Sequence, residues 1–309
     1  MEHAAESHCV GVVGLGYVGL PLALAFVQAG SRVVGLDSDS RRVEAIRAAE
    51  SYVEDVPSAD LQRAVSAGLL TASTNYDDLA QADAITICVP TPLDENRQPD
   101  LRPLIDAGTA LSRVLRKGQL VVLESTTYPG TTRERLVPML EESGLAAGRD
   151  FNVAFSPERV DPGRSDYTLR NTVKVIGGVT DECAHAAREL YERVCDEVLV
   201  VSSPEAAELS KLLENIFRSV NIALVNELAV LCDRMGIDIW RWSTPPRRSR
   251  SASCASTRGR AWAGTACRST PSTWRGKPAS TTSTRSSSSS PGRSTRACRT
   301  SVWTRSSVR

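Results

Sequence analysis

The sequence lacks the residue groups on which several common active sites and export routes depend. It contains three histidines, His3, His8 and His185, and two of them lie close to the amino terminus, which argues against a histidine-based triad or metal site. The eight cysteines show neither paired metal-ligand spacing nor a regular disulfide pattern, so a reducing cytoplasm is the expected compartment. There is no run of eighteen apolar residues and no basic start followed by an apolar segment, so neither a membrane span nor a signal peptide is expected.

Acidic side chains are absent from the last part of the chain. Residues 241–309 contain 14 Arg and one Lys but no Asp, Glu, Leu, Ile, Phe or Met, and 43 of these residues are Ser, Thr or Arg. Residues 1–240 hold the remaining 22 basic and all 36 acidic side chains. Because a segment so poor in apolar residues cannot bury enough surface to offset the entropy of ordering, we predict that 1–240 are folded and that 241–309 are disordered.

Within residues 1–240, short apolar runs alternate with helical patterns. The apolar runs are CVGVVG, RVVGLD, AITICVP, QLVVLEST, KVIGG and EVLVV, and the helical segments are GLPLALAFVQAG, SRRVEAIRAAE, LIDAGTALSRVLRKG, TTRERLVPMLEESG and DECAHAARELYERV. Strands that are apolar along their whole length and alternate with helices are typical of a parallel sheet covered on both faces. The sequence therefore predicts an α/β, doubly wound fold, with Ser40 as the expected N-cap of the second helix.

A glycine-rich turn directly follows the first predicted strand and opens the first predicted helix. Gly14, Gly16 and Gly19 have the spacing Gly-x-Gly-x-x-Gly. The first permits a tight turn, the second lets the backbone approach a pyrophosphate, and the third allows close packing of the helix on the strand. Tyr17 and Val18 complete the turn at the helix N-terminus, whose free N–H groups favour phosphate. This combination predicts a Rossmann-like dinucleotide site, with a tight turn that holds no ligand as the alternative.

An acid stands where such a site binds the adenosine ribose. Asp37 ends the second strand, eighteen residues after Gly19, and a carboxylate there bonds the ribose hydroxyls and repels a 2′-phosphate. NAD is therefore favoured over NADP. Arg42 lies within reach of the same ribose region, although a solvated surface arginine is the simpler interpretation of this residue alone.

The pattern changes at Pro204, where one long helical pattern begins and runs to about Trp240. A helix of this length that is apolar over much of its surface needs a second subunit or a second domain to cover it. We therefore divide the chain into a Rossmann-like NAD-binding domain (1–203), a long central helix (204–240) and a Ser/Thr/Arg-rich tail (241–309).

Four further segments interrupt the regular patterns with polar side chains. They are VPTP (89–92), ESTTYPGT (124–131), FSPERVDPG (155–163) and ELSKLLEN (208–215). The first two follow strands, at the carboxyl edge where open α/β sheets bind ligands, so Thr91 and Thr126 are candidates for cofactor contacts.

Each of these segments also has a simpler interpretation. Thr126 could cap the helix that follows it, and Glu158 could be a surface acid in a turn. Lys211 and Asn215, four residues apart on one helix face, could belong to a solvated stripe.

Taken together, the segments resemble the signatures of the UDP-glucose/GDP-mannose dehydrogenase family, and they are closest to its UDP-N-acetylhexosamine 6-dehydrogenase branch. The resemblance rests on GLGYVGLPLA, CVPTPL, ESTTYPGTT, FSPER and KLLENIFRSVNIALVNELA, in the family's order, and covers roughly Val10 to Trp240. It implies an NAD-dependent enzyme that oxidises the C6 alcohol of a UDP-sugar to the acid with two NAD⁺, through a cysteine-bound thiohemiacetal and thioester. It also implies a homodimer formed through the central helix, and no membrane or nucleic-acid partner is expected.

The resemblance implies catalytic roles for four residues. Thr126 and Glu158 would lie between nicotinamide and substrate and handle a water and its protons, since a carboxylate can accept protons as water attacks a thioester. Lys211 and Asn215 would stabilise oxyanion character at C6, because a cation and an amide lower the energy of a developing negative oxygen in a dry site.

After Trp240 the sequence departs from the family pattern. Family members continue with a Gly-Gly-His-Cys-Pro segment that holds the nucleophile and with a further domain that binds UDP, and residues 241–309 match neither. Degenerate codons read from the third base of Ala261 can nevertheless spell LGGHCMPVDPFYLAWKA, and loss of one G after Trp240 accounts for the observed WRWS. We therefore hypothesise that 241–309 are a frameshifted reading of a dehydrogenase gene, and that the chain as written does not complete the double oxidation.

Other functions remain open at the level of sequence. A basic tail can bind the phosphate backbone of nucleic acid, although residues 241–309 lack interleaved aromatics and a folded reading module. A 6-phosphogluconate-like dehydrogenase shares the long helix and a lysine–asparagine pair but does not account for ESTTYPGTT or FSPER. A non-catalytic NAD-binding remnant is also compatible with the motifs.

Overall fold

The computed structural model describes residues 8–92, 94–95, 99–158 and 169–238. The strands are β1 (Cys9–Val13), β2 (Arg32–Leu36), β3 (Leu70–Ser73), β4 (Ala84–Ile87), β5 (Leu120–Leu123), β6 (Asn152–Phe155), β7 (Lys174–Gly178) and β8 (Val198–Val201). The α-helices are α1 (Gly19–Gln28), α2 (Ser40–Arg47), α3 (Ser58–Ser66), α4 (Arg102–Ser112), α5 (Val137–Glu141), α6 (Asp181–Tyr191) and α7 (Pro204–Arg234), with a 3₁₀ helix at Tyr76–Gln81 and a π-helical turn at Thr132–Leu136. The predicted tail, 241–309, lies outside the described residues.

The strands form one eight-stranded sheet in the order β3-β2-β1-β4-β5-β6-β7-β8. The first six strands in this order follow the arrangement of a dinucleotide-binding Rossmann fold, and the chain reverses its direction of winding between β1 and β4. Ligands of such sheets bind outside the carboxyl ends of the strands at that reversal. The α/β, doubly wound prediction is therefore confirmed.

The sheet is covered on both faces, as predicted. Along β1, Val10 and Val12 pack into one hydrophobic cluster, whereas Cys9 and Val13 pack into the other. This alternation follows from the two-residue period of a strand, which points successive side chains to opposite faces. Each face of the sheet therefore has its own layer of helices and its own core.

Two features near the start of the chain differ from the sequence prediction. The N-cap of α2 is Asp39, whose carboxylate accepts a hydrogen bond from the Arg41 N–H at 3.0 Å, and Ser40 is the first residue of the helix. The predicted cap at Ser40 is therefore wrong by one residue, because aspartate is an equally good cap and already stands in extended backbone. Helix α3 and strand β3 lie in a stretch for which the sequence pattern predicted no element.

Strand β7 runs antiparallel to β6, with Phe155 opposite Gly177, whereas β8 runs parallel to β7. This reversal was not predicted, and neither was the short strand β6. Its consequence is geometric. In a parallel strand the carboxyl end reaches the ligand edge of the sheet, but in β7 the amino end does, and so does the carboxyl end of α6.

Helix α7 is 31 residues long and starts with Pro204 after the cap residue Ser203, whose hydroxyl accepts from the Ala206 N–H at 3.2 Å. Its buried residues are confined to the first two turns, and Leu213, Val220 and Leu224 are each more than half exposed. By length and composition alone α7 could cross a membrane, with a mean hydropathy of 1.3 over its most apolar window, none of which is buried. The helix was predicted to run to about Trp240, but it ends at Arg234, with Met235 as its C-cap and Gly236 in left-handed backbone with a φ of +66°.

Candidate active site

The glycine turn between β1 and α1 has the geometry that its sequence predicted. Gly14 has a φ of +93°, and a Cβ there would lie 2.7 Å from the carbonyl oxygen of Cys88. A Cβ on Gly19 would lie 1.8 Å from the carbonyl oxygen of Gly14. Both positions therefore require glycine, the first for the left-handed turn and the second for the close approach of helix to strand.

Gly16 is different, because space is open beside it. The nearest heavy atom to a Cβ at Gly16 would be Nη1 of Arg42, at 3.9 Å. The next two residues are the exposed Tyr17 and the N-cap Val18, and among the described residues no side chain caps α1. An uncapped helix N-terminus facing open space beside a glycine fits a pyrophosphate, so the residues present suit a dinucleotide.

Asp37 lies at the end of β2 and is almost fully buried beside the glycine turn. Its carboxylate accepts from the Leu15 N–H at 2.8 Å and from the Asp39 N–H at 2.9 Å, and it forms an ion pair with Arg42 at 3.1 Å. The Arg42 guanidinium also lies over the ring of Tyr52, 5.9 Å from its centroid. Arg42 is therefore held beside Asp37 although its side chain stays 41% exposed.

The loops that follow β4 and β5 are tied to each other. The Thr91 hydroxyl donates to the Thr126 carbonyl at 2.6 Å, and the Ser125 hydroxyl donates to the Val89 carbonyl at 2.6 Å. The Thr126 side chain is exposed, and the next helical turn begins only after Thr131. The alternative in which Thr126 caps that helix is therefore wrong.

Glu158 is buried, so the alternative of a surface acid is also wrong. Its backbone carbonyl accepts a hydrogen bond from Nζ of Lys211 on α7. Within the described residues the buried hydroxyls of Thr127 and Ser156 have no hydrogen-bond partner, and both lie just past the carboxyl ends of β5 and β6. Unpartnered hydroxyls at this edge suit a site that receives a polar ligand.

A buried charge cluster, formed by Glu124, Lys174 and Tyr191, adjoins Glu158. Nζ of Lys174 lies 2.8 Å from Oε2 of Glu124 and 3.7 Å from Oε2 of Glu158. The Tyr191 hydroxyl donates to Oε1 of Glu124. Burial lowers the pKa of Lys174, but the charges of Glu124 and Glu158 outweigh burial and raise that pKa above its ordinary value. Burial and the Glu124 charge raise the pKa of the Tyr191 phenol well above its ordinary value, so the tyrosine stays a neutral donor.

This cluster was missed from the sequence. The available signal was a lysine that begins an apolar strand and an acid that directly follows another, since charged residues in such positions are seldom buried unless paired. The partners are 50 and 67 residues apart along the chain, and the pairing depends on the antiparallel direction of β7.

The first two turns of α7 are anchored to the loop that carries Thr126. The Glu208 carboxylate is fully buried and accepts from the Gly130 N–H at 2.6 Å, the Thr132 N–H at 2.9 Å and the Thr132 hydroxyl at 2.7 Å. This anchor brings Lys211, one turn further on, to Glu158. Asn215 lies another turn along the same face and is exposed.

Two sequence profiles of a known protein family match this chain. Residues 8–195 match the sequence profile described as the UDP-glucose/GDP-mannose dehydrogenase family, NAD binding domain, and residues 205–251 match that of the family's central domain. The chain belongs to this family. The predicted family and the predicted cofactor, NAD, are therefore confirmed, and the glycine turn with Asp37 belongs to the family's NAD-binding domain.

Individual members of the family are similar over the same region. UDP-N-acetyl-D-glucosamine 6-dehydrogenase of Pseudomonas aeruginosa is 42% identical over 231 residues, which are 74% of this chain and 54% of that protein. UDP-N-acetyl-D-mannosamine dehydrogenase of Escherichia coli K12 is 38% identical over 240 residues, 75% of this chain and 56% of that protein. The structure of UDP-D-ManNAc dehydrogenase from Pyrococcus horikoshii superposes with a TM-score of 0.74 at 36% identity, over 79% of this chain and 58% of that one. The chain thus spans about half the length of the curated relatives it matches.

Proposed function

We propose that the chain binds NAD at the Gly14–Gly19 turn and is the NAD-binding and central-helix part of a nucleotide-sugar 6-dehydrogenase. The proposed substrate is a UDP-sugar whose C6 alcohol is oxidised to the acid, with a UDP-N-acetylhexosamine favoured over UDP-glucose. The observation that carries the proposal is that the glycine turn, Glu158 and Lys211 all lie at the same edge of the sheet. The names of the relatives support the substrate class.

The proposed roles follow from the positions of the side chains. NAD, when bound, accepts hydride from the sugar. Thr126 is exposed on the loop that Thr91 holds at the carboxyl end of β5, so it can orient a water or the substrate. Glu158 is buried past the carboxyl end of the neighbouring strand β6 and can accept a proton. Lys211, held against the Glu158 backbone, supplies positive charge for an oxygen that becomes negative during the reaction, and Asn215 adds an amide on the same helix face.

The exposed apolar residues of α7 support a further part of the proposal, which is that α7 is covered by a second copy of the chain in the cytoplasm. Asn215, Arg218 and Asn226 line one side of the helix, and a face that mixes such polar groups with leucine and valine suits a protein partner better than lipid. The same proposal assigns residues 204–240 to the central helix.

The NAD proposal is tested with the variant Gly16→Val. Because space is open beside Gly16, a valine there should leave the fold intact yet occupy the path of the pyrophosphate. We expect the unmodified chain to raise NADH fluorescence on titration, and Gly16→Val to weaken this binding by at least about tenfold, a loss of about 1.4 kcal/mol.

The matched control is Ala67→Val, which places a valine at an exposed position at the end of α3. It should bind NADH like the unmodified chain. Equal binding by the Gly16→Val variant, or no NADH binding by the unmodified chain, would count against the proposal.

A further inference from the structure

The reversed direction of β7 brings two groups to the ligand edge that a wholly parallel sheet would place elsewhere. Lys174 is the first residue of β7, and Tyr191 is the last residue of α6. Because β7 is antiparallel to β6, the amino end of β7 lies beside the segment that leaves β6 toward Glu158. The sheet topology therefore supplies a cation to the buried carboxylate of Glu158.

Within the cluster, Glu124 contacts both Tyr191 and Lys174, and Lys174 also faces Glu158. Each oxygen of Glu124 already has a partner, Lys174 on Oε2 and Tyr191 on Oε1. An ammonium group has three donors, so the bond to Glu124 leaves Lys174 able to face Glu158 as well. The separation of 3.7 Å between Lys174 and Glu158 is that of an ion pair without a hydrogen bond. Lys174 thus faces Glu158 with its positive charge while it donates its hydrogen bond to Glu124.

We propose that Lys174 is a positioning residue for Glu158: its charge holds the Glu158 carboxylate at the ligand edge, while Glu124 and Tyr191 keep Lys174 there. The inference rests on the proposed role of Glu158. Lys174 does not itself touch the reacting atoms. The competing interpretation is that Lys174 and Glu124 are a structural ion pair whose effect ends at stability.

The two interpretations separate when both members of the ion pair are removed together. Loss of Lys174 alone leaves the buried Glu124 charge uncompensated, which strongly destabilises a fold, whereas replacement of both partners by neutral groups is often tolerated. The double variant Glu124→Gln/Lys174→Met is therefore the main test. The glutamine that replaces Glu124 can still accept from the Tyr191 hydroxyl, and the methionine that replaces Lys174 fills the space of the lysine stem.

The readout is amidation of Glu158 by a water-soluble carbodiimide and glycinamide on the intact chain, followed by peptide mass spectrometry. The carboxyl group gives its proton to the carbodiimide and its oxygen adds to the carbodiimide carbon, after which glycinamide displaces the urea. A neighbouring positive charge that favours the carboxylate therefore slows labelling. The exposed Glu44 on α2 serves as the internal reference. Because Glu124→Gln already removes the like charge of Glu124, the double variant is compared with Glu124→Gln, from which it differs only at residue 174. We expect the double variant to label Glu158 at least about tenfold faster than Glu124→Gln does, relative to Glu44, the lower end of the effect of an opposite charge within 4–6 Å of a carboxylate.

Two single variants are the matched controls. Glu124→Gln keeps Lys174 and should label Glu158 no faster than the unmodified chain, and Lys174→Arg keeps the charge and should do the same. Equal labelling of Glu158 in the double variant and in Glu124→Gln would overturn the inference, and so would faster labelling in Lys174→Arg. NADH titration of the same samples separates failure of this inference from failure of the proposed function. If the unmodified chain does not bind NADH, the proposed function is contradicted, whereas the role of Lys174 is judged by the labelling alone.

Discussion

Gly14, Gly30 and Gly16 differ in what an added side chain would meet. Gly14 combines a φ of +93° with a backbone contact that a Cβ would meet at 2.7 Å. Gly30 has a φ of +87° but open space around it, and Gly16 has open space without a positive φ. A side chain at Gly14 would thus be strained and would clash, and one at Gly30 would be strained only. A side chain at Gly16 would meet neither problem but would fill the space proposed for the ligand.

Gly14→Ala should therefore destabilise the fold more than Gly30→Ala. A non-glycine residue in left-handed backbone costs about 1–3 kcal/mol, and at Gly14 the contact with the Cys88 carbonyl adds to this cost. The free energies of unfolding in urea, measured for both variants and the unmodified chain, check the order. Equal losses for the two variants would mean that the backbone next to Cys88 yields to the added methyl group.

At this scale the sequence predicts residues whose role is local. The three glycines of the turn and Asp37 are recognised by spacing, since their function depends on neighbours a few residues away. Lys174 and Tyr191 are not, because each meets Glu124 across a long stretch of chain and only in one sheet topology. Sequence spacing carries no information about such a pairing.

Among the elements, α7 and the loop after β5 are joined by the Glu208 carboxylate. We expect Glu208→Ala to lower the free energy of unfolding by about 2–4 kcal/mol, because the two N–H groups and the hydroxyl that Glu208 now accepts from lose their partner. Hydrogen exchange at the Gly130 and Thr132 amides should accelerate with it. Glu208→Gln, which keeps one acceptor oxygen, should lose less, and an equal loss would contradict the role of the hydrogen bonds.

The same residue gives the anchor a pH dependence. Burial raises the pKa of Glu208 above its ordinary value of 4.5, against the opposing effect of its three hydrogen bonds. A raised folded-state pKa contributes stability that is complete below pH 4.5 and is lost as the pH rises through the folded pKa. As the pH rises from 4.5 through the folded pKa, the free energy of unfolding of Glu208→Gln should therefore fall less than that of the unmodified chain. An equal pH dependence of the two free energies would contradict this prediction.

The elements themselves were predictable where a strong apolar run or a long helical period marked them. Strand β6 is four residues long and is followed at once by Ser156 and a proline, so it carried little signal. The sequence carried no signal for the direction of β7, because the pattern KVIGG is equally compatible with a parallel and an antiparallel strand. The antiparallel pairing is fixed by packing of the whole sheet.

At the scale of the whole molecule, the hypothesis about residues 241–309 stays a proposal that concerns the gene. We propose that these residues are read one frame away from the family's continuation. The expected result of sequencing the DNA is a codon series in which restoring one G after the Trp240 codon yields the segment LGGHCMPVDPFYLAWKA. If neither other frame can encode a glycine–histidine–cysteine segment there, the proposal is wrong.

The anchor at Glu208 also has a mechanical meaning. From Glu208 to Arg234 the helix extends about 39 Å at 1.5 Å per residue, and its buried residues all lie at the anchored end. A rod held at one end turns small rotations into large displacements, so a tilt of about 5° at Glu208 moves the far end by about 3 Å over that length. A change in the loop that holds Glu208 would therefore displace the distant turns of α7 more than the anchored ones.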